Sequence, residues 1–130
     1  MSLGIAVWVA LGGALGSVAR YWFSGIIARF MGETFPWGTL IVNVSGSLLI
    51  GFIATVSGTD GRFLIPPEAR QFMMVGILGG YTTFSSFSLQ TLTLARDGEW
   101  LLAGANILGS MVLCLIAVWV GHMLAVVVNR

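Results

Sequence analysis

The stretch GGYTTFSSFS, residues Gly79–Ser88, lies inside a long apolar segment that is bounded by Arg70 and Arg96. It combines a glycine pair, five Ser and Thr residues and two phenylalanines. Glycine and β-branched residues are poor formers of helix interiors, so a helix is expected to be interrupted here. Carbonyls freed inside a membrane must be buried in protein or must bind an ion such as Na⁺. The stretch therefore predicts a membrane helix that is broken near mid-membrane.

The composition predicts an integral membrane protein. Of 130 residues, 57% are hydrophobic and 8% are charged, and the mean hydropathy is +0.96. Soluble domains carry about 25% charged residues. Net charge is only +1, which gives no reason to expect nucleic acid as a partner, and a single cysteine excludes an internal disulfide. Because about 20 apolar residues cross the hydrocarbon, we expect an all-α domain over 1–130 with four transmembrane helices, at 4–27, 38–56, 71–94 and 100–128.

The arginines leave the orientation of the chain open. With four spans, each side of the membrane receives three of them: Arg62, Arg70 and Arg130 on one side, and Arg20, Arg29 and Arg96 on the other. The chain has no Lys, and an excess of Lys and Arg normally marks the cytoplasmic side. Either Arg20 is buried and does not count, or the chain inserts both ways. In the second case, an up copy and a down copy are expected to pair as a dual-topology antiparallel homodimer.

The predicted spans contain no Asp or Glu. Proton-coupled transporters generally use a carboxylate inside the membrane, so a proton-driven mechanism is disfavoured. The chain also lacks a nucleotide-binding motif. These observations leave a passive pathway or a structural role, and neither is an enzyme.

The polar residues inside the spans form two groups. Arg20 and Asn43 lie at similar depth in the first two spans. Arg20 either snorkels to the headgroups or supplies positive potential to a wet, anion-attracting vestibule in which Asn43 is a donor. Asn106, Ser110 and Cys114 share one face of the fourth span, because they are spaced by four residues. That stripe either joins helices or lines a narrow polar track.

The second half of the opening stretch combines aromatic rings with hydroxyl groups. Phe84 and Phe87 are three residues apart and therefore share a helix face. Their rings either serve as plain packing or present their positive edges to a ligand. With the hydroxyl donors of Ser85 and Ser88 beside them, such a lining suits a small, hard anion.

Three segments resemble those of the Fluc fluoride channels, also called CrcB-like proteins. They are GGALGSVARYW (Gly12–Trp22), PWGTLIVNVSGSLLIG (Pro36–Gly51) and GILGGYTTFSSFS (Gly76–Ser88). The third is the most specific, since it is similar to the GGxTTFSTFS-type signature of the family. With the length and the number of spans, the resemblance extends over the whole chain.

This resemblance implies a passive fluoride-selective channel in the plasma (inner) membrane of a microbe, which exports fluoride from the cytoplasm. It implies an antiparallel homodimer with two pores and a structural Na⁺ at its centre, held by the backbone carbonyls of Gly79 and Thr82. It places Phe84, Phe87 and Asn43 in the fluoride pathway.

In the fourth span, the residues of the family's polar track correspond to Asn106, Ser110 and Cys114, where Ser, Ser and Thr are common. Two other functions are compatible with four spans: a small multidrug-type exporter, which needs an embedded Glu, and a structural membrane subunit.

Overall fold

The computed structural model describes all residues, Met1–Arg130, and they form a helical protein. The elements are α1 (Leu3–Met31), α2 (Trp37–Val56), α3 (Pro67–Gln71), a π-helical segment (Phe72–Leu78), α4 (Gly79–Tyr81), α5 (Phe84–Arg96) and α6 (Trp100–Asn129). Four helical stretches are long and apolar enough to cross a membrane, and the third is the composite Pro67–Arg96, called here the third span. The prediction of an all-helical protein with four membrane-spanning helices is confirmed.

The helices extend beyond the apolar stretches at several ends. The first runs on past Ile27 to Met31 and stops at Gly32, whose positive φ of 83° suits a residue without a side chain. The third span starts four residues before Gln71, at Pro67, because proline is well tolerated in the first turn of a helix. Hydrophobicity defines the part inside the membrane, whereas these turn and capping residues define where the helix ends.

The third span departs from the α-helix in two places. Phe72–Leu78 is π-helical, and α4 follows it directly. Thr82 and Thr83 are then extended, with ψ of 157° and 119°, before α5 begins. The side chain of Thr83 caps α5 by accepting a hydrogen bond from the backbone N–H of Ser86. The interruption therefore falls on the two threonines, and the glycine pair before them remains helical.

Glycines bring α1 against the third span at backbone distance. A Cβ added to Gly12 would meet the carbonyl oxygen of Phe72, and one added to Gly16 would meet that of Ile77. A Cβ on Gly80 would meet the carbonyl oxygen of Gly13 in return. Small residues allow this close approach between membrane helices, where hydrophobic burial gives little drive to associate.

The second pair of packed helices, α2 and α6, also approaches closely at glycines. A Cβ on Gly51 of α2 would meet the Val118 carbonyl oxygen, and one on Gly121 of α6 would meet that of Leu48. On another face of α2 Val42 is completely buried, whereas the outer faces of the helices carry exposed apolar side chains. Such an exterior suits hydrocarbon or a second protein surface.

Two arginines fasten the connection between α2 and the third span. Arg62 donates from Nη1 to the Val128 carbonyl oxygen (3.2 Å), and Arg70 donates from Nη2 to that of Ala54 (3.2 Å). Both carbonyls lie in the last turn of their helix, where the helix dipole favours a cation. These two arginines therefore have a local structural role as well as a place in the charge balance.

Gly16→Ala is expected to destabilise the protein, because its Cβ would meet the backbone of Ile77 and Tyr81, which cannot move aside as a side chain can. Overpacking of this kind costs about 1–3 kcal/mol or more. The matched control is Gly13→Ala in the same helix, whose Cβ would find no heavy atom within 4 Å. Thermal unfolding in detergent measures both, and equal stability of the two variants would contradict the close packing described here.

Candidate functional site

A cavity of about 390 Å³ lies between α2, the third span and α6, and we call it the central cavity. Seven of the residues singled out from the sequence line it: Asn43, Gly79, Thr82, Phe84, Phe87, Ser110 and Cys114. They come from helices that are far apart in the chain. No charged side chain belongs to its lining, which combines apolar groups with a few amide, hydroxyl and thiol groups.

The other four residues singled out from the sequence lie elsewhere. Ser85 is exposed, and Ser88 is exposed and donates its hydroxyl to the Phe84 carbonyl oxygen of its own helix (2.9 Å). Asn106 is only 2% exposed and lies behind the cavity wall. Arg20 is half-buried and reaches the third span from α1.

Asn43 forms two hydrogen bonds with the backbone of Thr83. Its Oδ1 accepts from the Thr83 N–H (2.8 Å), and its Nδ2 donates to the Thr83 carbonyl oxygen (3.0 Å). The amide group thus pairs with the extended residue as a neighbouring β-strand would. The second hydrogen on Nδ2 is not needed for this pair, so it is available to the central cavity, which Asn43 also lines.

The carbonyls of Gly79 and Thr82 are among those that lose their helical donors at the break. In a continuous α-helix the Thr83 N–H donates to Gly79 and the Ser86 N–H donates to Thr82. Here the first donates to Asn43 Oδ1, and the second donates to Thr83 Oγ1 (3.1 Å). The Gly79 and Thr82 carbonyls lie at the C-terminal end of the continuous helical stretch from Pro67 to Tyr81, where the helix dipole places partial negative charge. Their chemistry suits a hard cation.

A cation here would be held by oxygen atoms of the backbone. No group of His, Cys, Asp and Glu side chains is arranged to hold a metal ion. The backbone is open at Gly79, where an added Cβ would have only the Met74 carbonyl oxygen near it, at 3.8 Å. Exposed carbonyls of this kind bind Na⁺ at unwound membrane helices, so the donor set fits that ion.

The end of α4 is fixed by two further side chains. Arg20 donates from Nε to the Gly80 carbonyl oxygen (3.1 Å), and the Tyr81 hydroxyl lies 2.9 Å from Ser45 Oγ of α2. The Nε of Arg20 is therefore directed to the third span. Neither contact is visible in the sequence, because both join residues that are far apart in the chain.

The two phenylalanines lie together at the start of α5. The ring centroids of Phe84 and Phe87 are 5.3 Å apart and their planes are inclined by 49°. Phe84 is 78% exposed in the single chain, whereas Phe87 is half-buried. Positive ring edges and the positive N-terminal end of α5 both favour an anion at this part of the cavity.

The polar stripe of α6 has two different environments. Ser110 donates to Asn106 Oδ1 (3.3 Å), and Asn106 Nδ2 donates to Thr91 Oγ1 of α5 (2.9 Å). Thr91 in turn donates to the Phe87 carbonyl oxygen (2.8 Å). Asn106 therefore joins α6 to the helix that carries the phenylalanines, whereas Ser110 and Cys114 face the central cavity. Sequence reasoning missed Thr91, although its four-residue spacing from Phe87 places the two on one helix face.

The chain is similar to proteins of one family. The family model described as CrcB-like protein, Camphor Resistance (CrcB), matches residues 7–122. A protein of Opitutus terrae named fluoride-specific ion channel FluC is 59% identical over 127 residues, which cover 98% of this chain and 96% of the relative. A protein of the same name from Rhodospirillum rubrum is 62% identical over 124 residues, covering 95% and 96%. Another from Paramagnetospirillum magneticum is 59% identical over 122 residues, covering 94% and 95%.

Thr91→Val is expected to destabilise the protein by about 1–3 kcal/mol, because it leaves the buried amide of Asn106 without its acceptor on α5. Thr93→Val, two residues on, removes a hydroxyl that bonds only to the Leu89 carbonyl oxygen of its own helix, and it serves as the control. Thermal unfolding in detergent compares them. If the two substitutions have the same effect, Asn106 does not join the helices as described.

Proposed function

The chain belongs to the CrcB-like protein family, and on that premise we propose that it is a fluoride-specific channel. It is a multi-pass bacterial membrane protein that lets fluoride leave the cytoplasm passively. The observation that carries the mechanism is the central cavity, where Phe84, Phe87, Asn43 and Ser110 meet in a lining without charged side chains.

The lining explains how a strongly hydrated anion enters an apolar membrane. An ion that leaves water must find compensating partners, because an isolated buried charge is prohibitively costly. Ring edges of Phe84 and Phe87, the free hydrogen of the Asn43 amide and the Ser110 hydroxyl supply partial positive charge. None of them is a fixed cation, which would attract fluoride but also retain it. The ion therefore finds partners in the cavity and is still able to leave.

The pathway contains no group for coupling to another energy source. The cavity lining has no carboxylate that would carry a proton through the membrane. Fluoride therefore moves down its own electrochemical gradient, and the protein performs no catalysis.

We propose further that the channel is a dual-topology antiparallel homodimer, with the break of the third span near mid-membrane and a Na⁺ at the dimer centre. The carbonyls of Gly79 and Thr82, freed from helical hydrogen bonding, support this site. Two carbonyls are few ligands for a hard cation, and a second copy of the chain would double their number.

Liposomes that contain only this protein are expected to release fluoride, and Phe87→Ile and Phe84→Ile are each expected to reduce the release sharply. Isoleucine keeps the apolar bulk but removes the aromatic ring with its positive edge. A fluoride-selective electrode measures the efflux. If the rings serve only packing, a conservative apolar change costs under about 1.5 kcal/mol of stability and leaves efflux intact.

Size-exclusion elution identical to that of the unchanged protein is the control for folding in this experiment. Normal efflux in both phenylalanine variants would contradict the pathway assignment. The absence of efflux from the unchanged protein would contradict the channel function itself and favour a structural role.

The homodimer proposal predicts that the loop between α2 and the third span faces both sides of the membrane in one population of cells. With Asp60→Cys in a Cys114→Ala background, an impermeant maleimide is expected to label roughly half of the copies in intact cells, since balanced arginines give insertion no preference. As a control, three Lys residues added to this loop are expected to impose one orientation and to abolish efflux. Uniform labelling of the variant without added Lys, complete or absent, would contradict dual topology.

A further inference from the structure

We propose that Asn43 and Thr83 are positioning residues for the cation site. The side chain of each accepts a hydrogen bond from a backbone N–H that, in a continuous helix, would donate to one of the two carbonyls of the site. This inference rests on the proposed Na⁺ site and names the residues that create it. Both side chains touch the backbone of the break and not the carbonyl oxygens proposed to bind the ion.

The carbonyl of Gly79 depends on Asn43. Continuation of α4 into α5 would require the Thr83 N–H to donate to Gly79. Asn43 Oδ1 accepts that hydrogen at 2.8 Å, and Asn43 Nδ2 holds the carbonyl of the same residue at 3.0 Å. With both polar groups of Thr83 paired to one amide, its backbone is held extended, with φ of −152° and ψ of 119°. The helix cannot close over Gly79 while this pair exists.

The carbonyl of Thr82 depends on the next residue. The Ser86 N–H, its donor in a continuous helix, is bound by Thr83 Oγ1 at 3.1 Å. Thr83 Oγ1 also donates to Ser86 Oγ (3.1 Å), which orients the hydroxyl so that its lone pair faces the N–H. A side-chain oxygen thus replaces the carbonyl as the acceptor at the start of α5.

The two replacements satisfy backbone donors but leave backbone carbonyls without them. Where a membrane helix breaks, the freed backbone N–H groups need partners as much as the freed carbonyls do. Here the Thr83 and Ser86 N–H groups receive side-chain acceptors, whereas the carbonyls of Gly79 and Thr82 lose their helical partners at the negative end of the helical stretch Pro67–Tyr81. The result is a pair of acceptors without donors, which is the electrostatic requirement of a cation site. Asn43 also lines the central cavity, so the same residue contacts both the break that forms the cation site and the proposed fluoride pathway.

Thr83 offers a test with a matched control, because serine keeps Oγ1. Thr83 lines the central cavity as Asn43 does, so the readout is the Na⁺ concentration for half-maximal efflux and not the efflux alone. Thr83→Val keeps the β-branched shape and removes Oγ1, so the Ser86 N–H loses the side-chain acceptor that replaces the Thr82 carbonyl. Thr83→Ser keeps the oxygen and is the matched control. Each protein is reconstituted after dialysis into Na⁺-free buffer with N-methyl-D-glucamine, and fluoride efflux is measured over a series of Na⁺ concentrations.

Thr83→Val is expected to raise the Na⁺ concentration for half-maximal efflux about tenfold, which corresponds to about 1.4 kcal/mol of Na⁺ binding. Thr83→Ser is expected to keep the value of the unchanged protein. Phe87→Ile, which lies in the pathway, is expected to reduce efflux at every Na⁺ concentration without moving the half-maximum. A role of Thr83 in stability alone would lower the unfolding temperature and leave the half-maximum unchanged.

Two outcomes overturn the inference in different ways. If the unchanged protein depends on Na⁺ and Thr83→Val has the same half-maximum, Thr83 does not position the site, although the proposed function stands. If efflux of the unchanged protein does not depend on Na⁺ at all, the cation site and this inference both fall, while the fluoride channel remains. Thr83→Ala, which removes the same oxygen with a smaller side chain, replaces Thr83→Val if the latter does not elute as the unchanged protein does.

Discussion

The requirement that backbone groups inside a membrane have partners governs this structure. An unpaired N–H or carbonyl in hydrocarbon costs several kcal/mol, so a break in a spanning helix survives only where other groups replace the lost hydrogen bonds. At the break, Asn43 of α2 bonds to the backbone N–H and carbonyl of Thr83, and the Thr83 hydroxyl accepts from the Ser86 N–H at the start of α5. Arg20 of α1 binds Gly80, and the Thr82 hydroxyl donates to the Leu78 carbonyl oxygen (2.9 Å). Two of the neighbouring helices thus contribute a side chain to one short segment.

The glycine contacts make that arrangement possible. Arg20 reaches Gly80 because Gly12 and Gly16 let α1 lie directly against the backbone of the third span. On the other side, a Cβ on Gly46 of α2 would overlap the side chain of Thr82. Replacing these glycines would separate the helices and move the bracing side chains away from the break. Close packing here positions the functional segment as well as stabilising the bundle.

Composition and periodicity predicted the parts of this protein that depend on local sequence. The four spans follow from the apolar stretches, and the neighbouring rings of Phe84 and Phe87 follow from their spacing. The break falls at Thr82 and Thr83 rather than at the glycines, of which Gly80 lies against Gly13 of α1. Asn106 and Ser110 share one helix face, yet one bonds to Thr91 of α5 and the other faces the cavity. Helical spacing defines a face, whereas only the tertiary packing decides which neighbour each residue meets.

The break also brings opposite electrostatic preferences together in one cavity. The C-terminal end of α4 presents partial negative charge, and the N-terminal end of α5, beginning at Phe84, presents partial positive charge. In the proposed channel, a cation at the first end would increase the positive potential at the second, a few residues away. The lining then needs no Lys or Arg of its own to attract an anion, and its neutral donors can match fluoride without retaining it. A continuous third helix would have neither end, so the interruption itself would supply the field in which a neutral lining conducts a small anion.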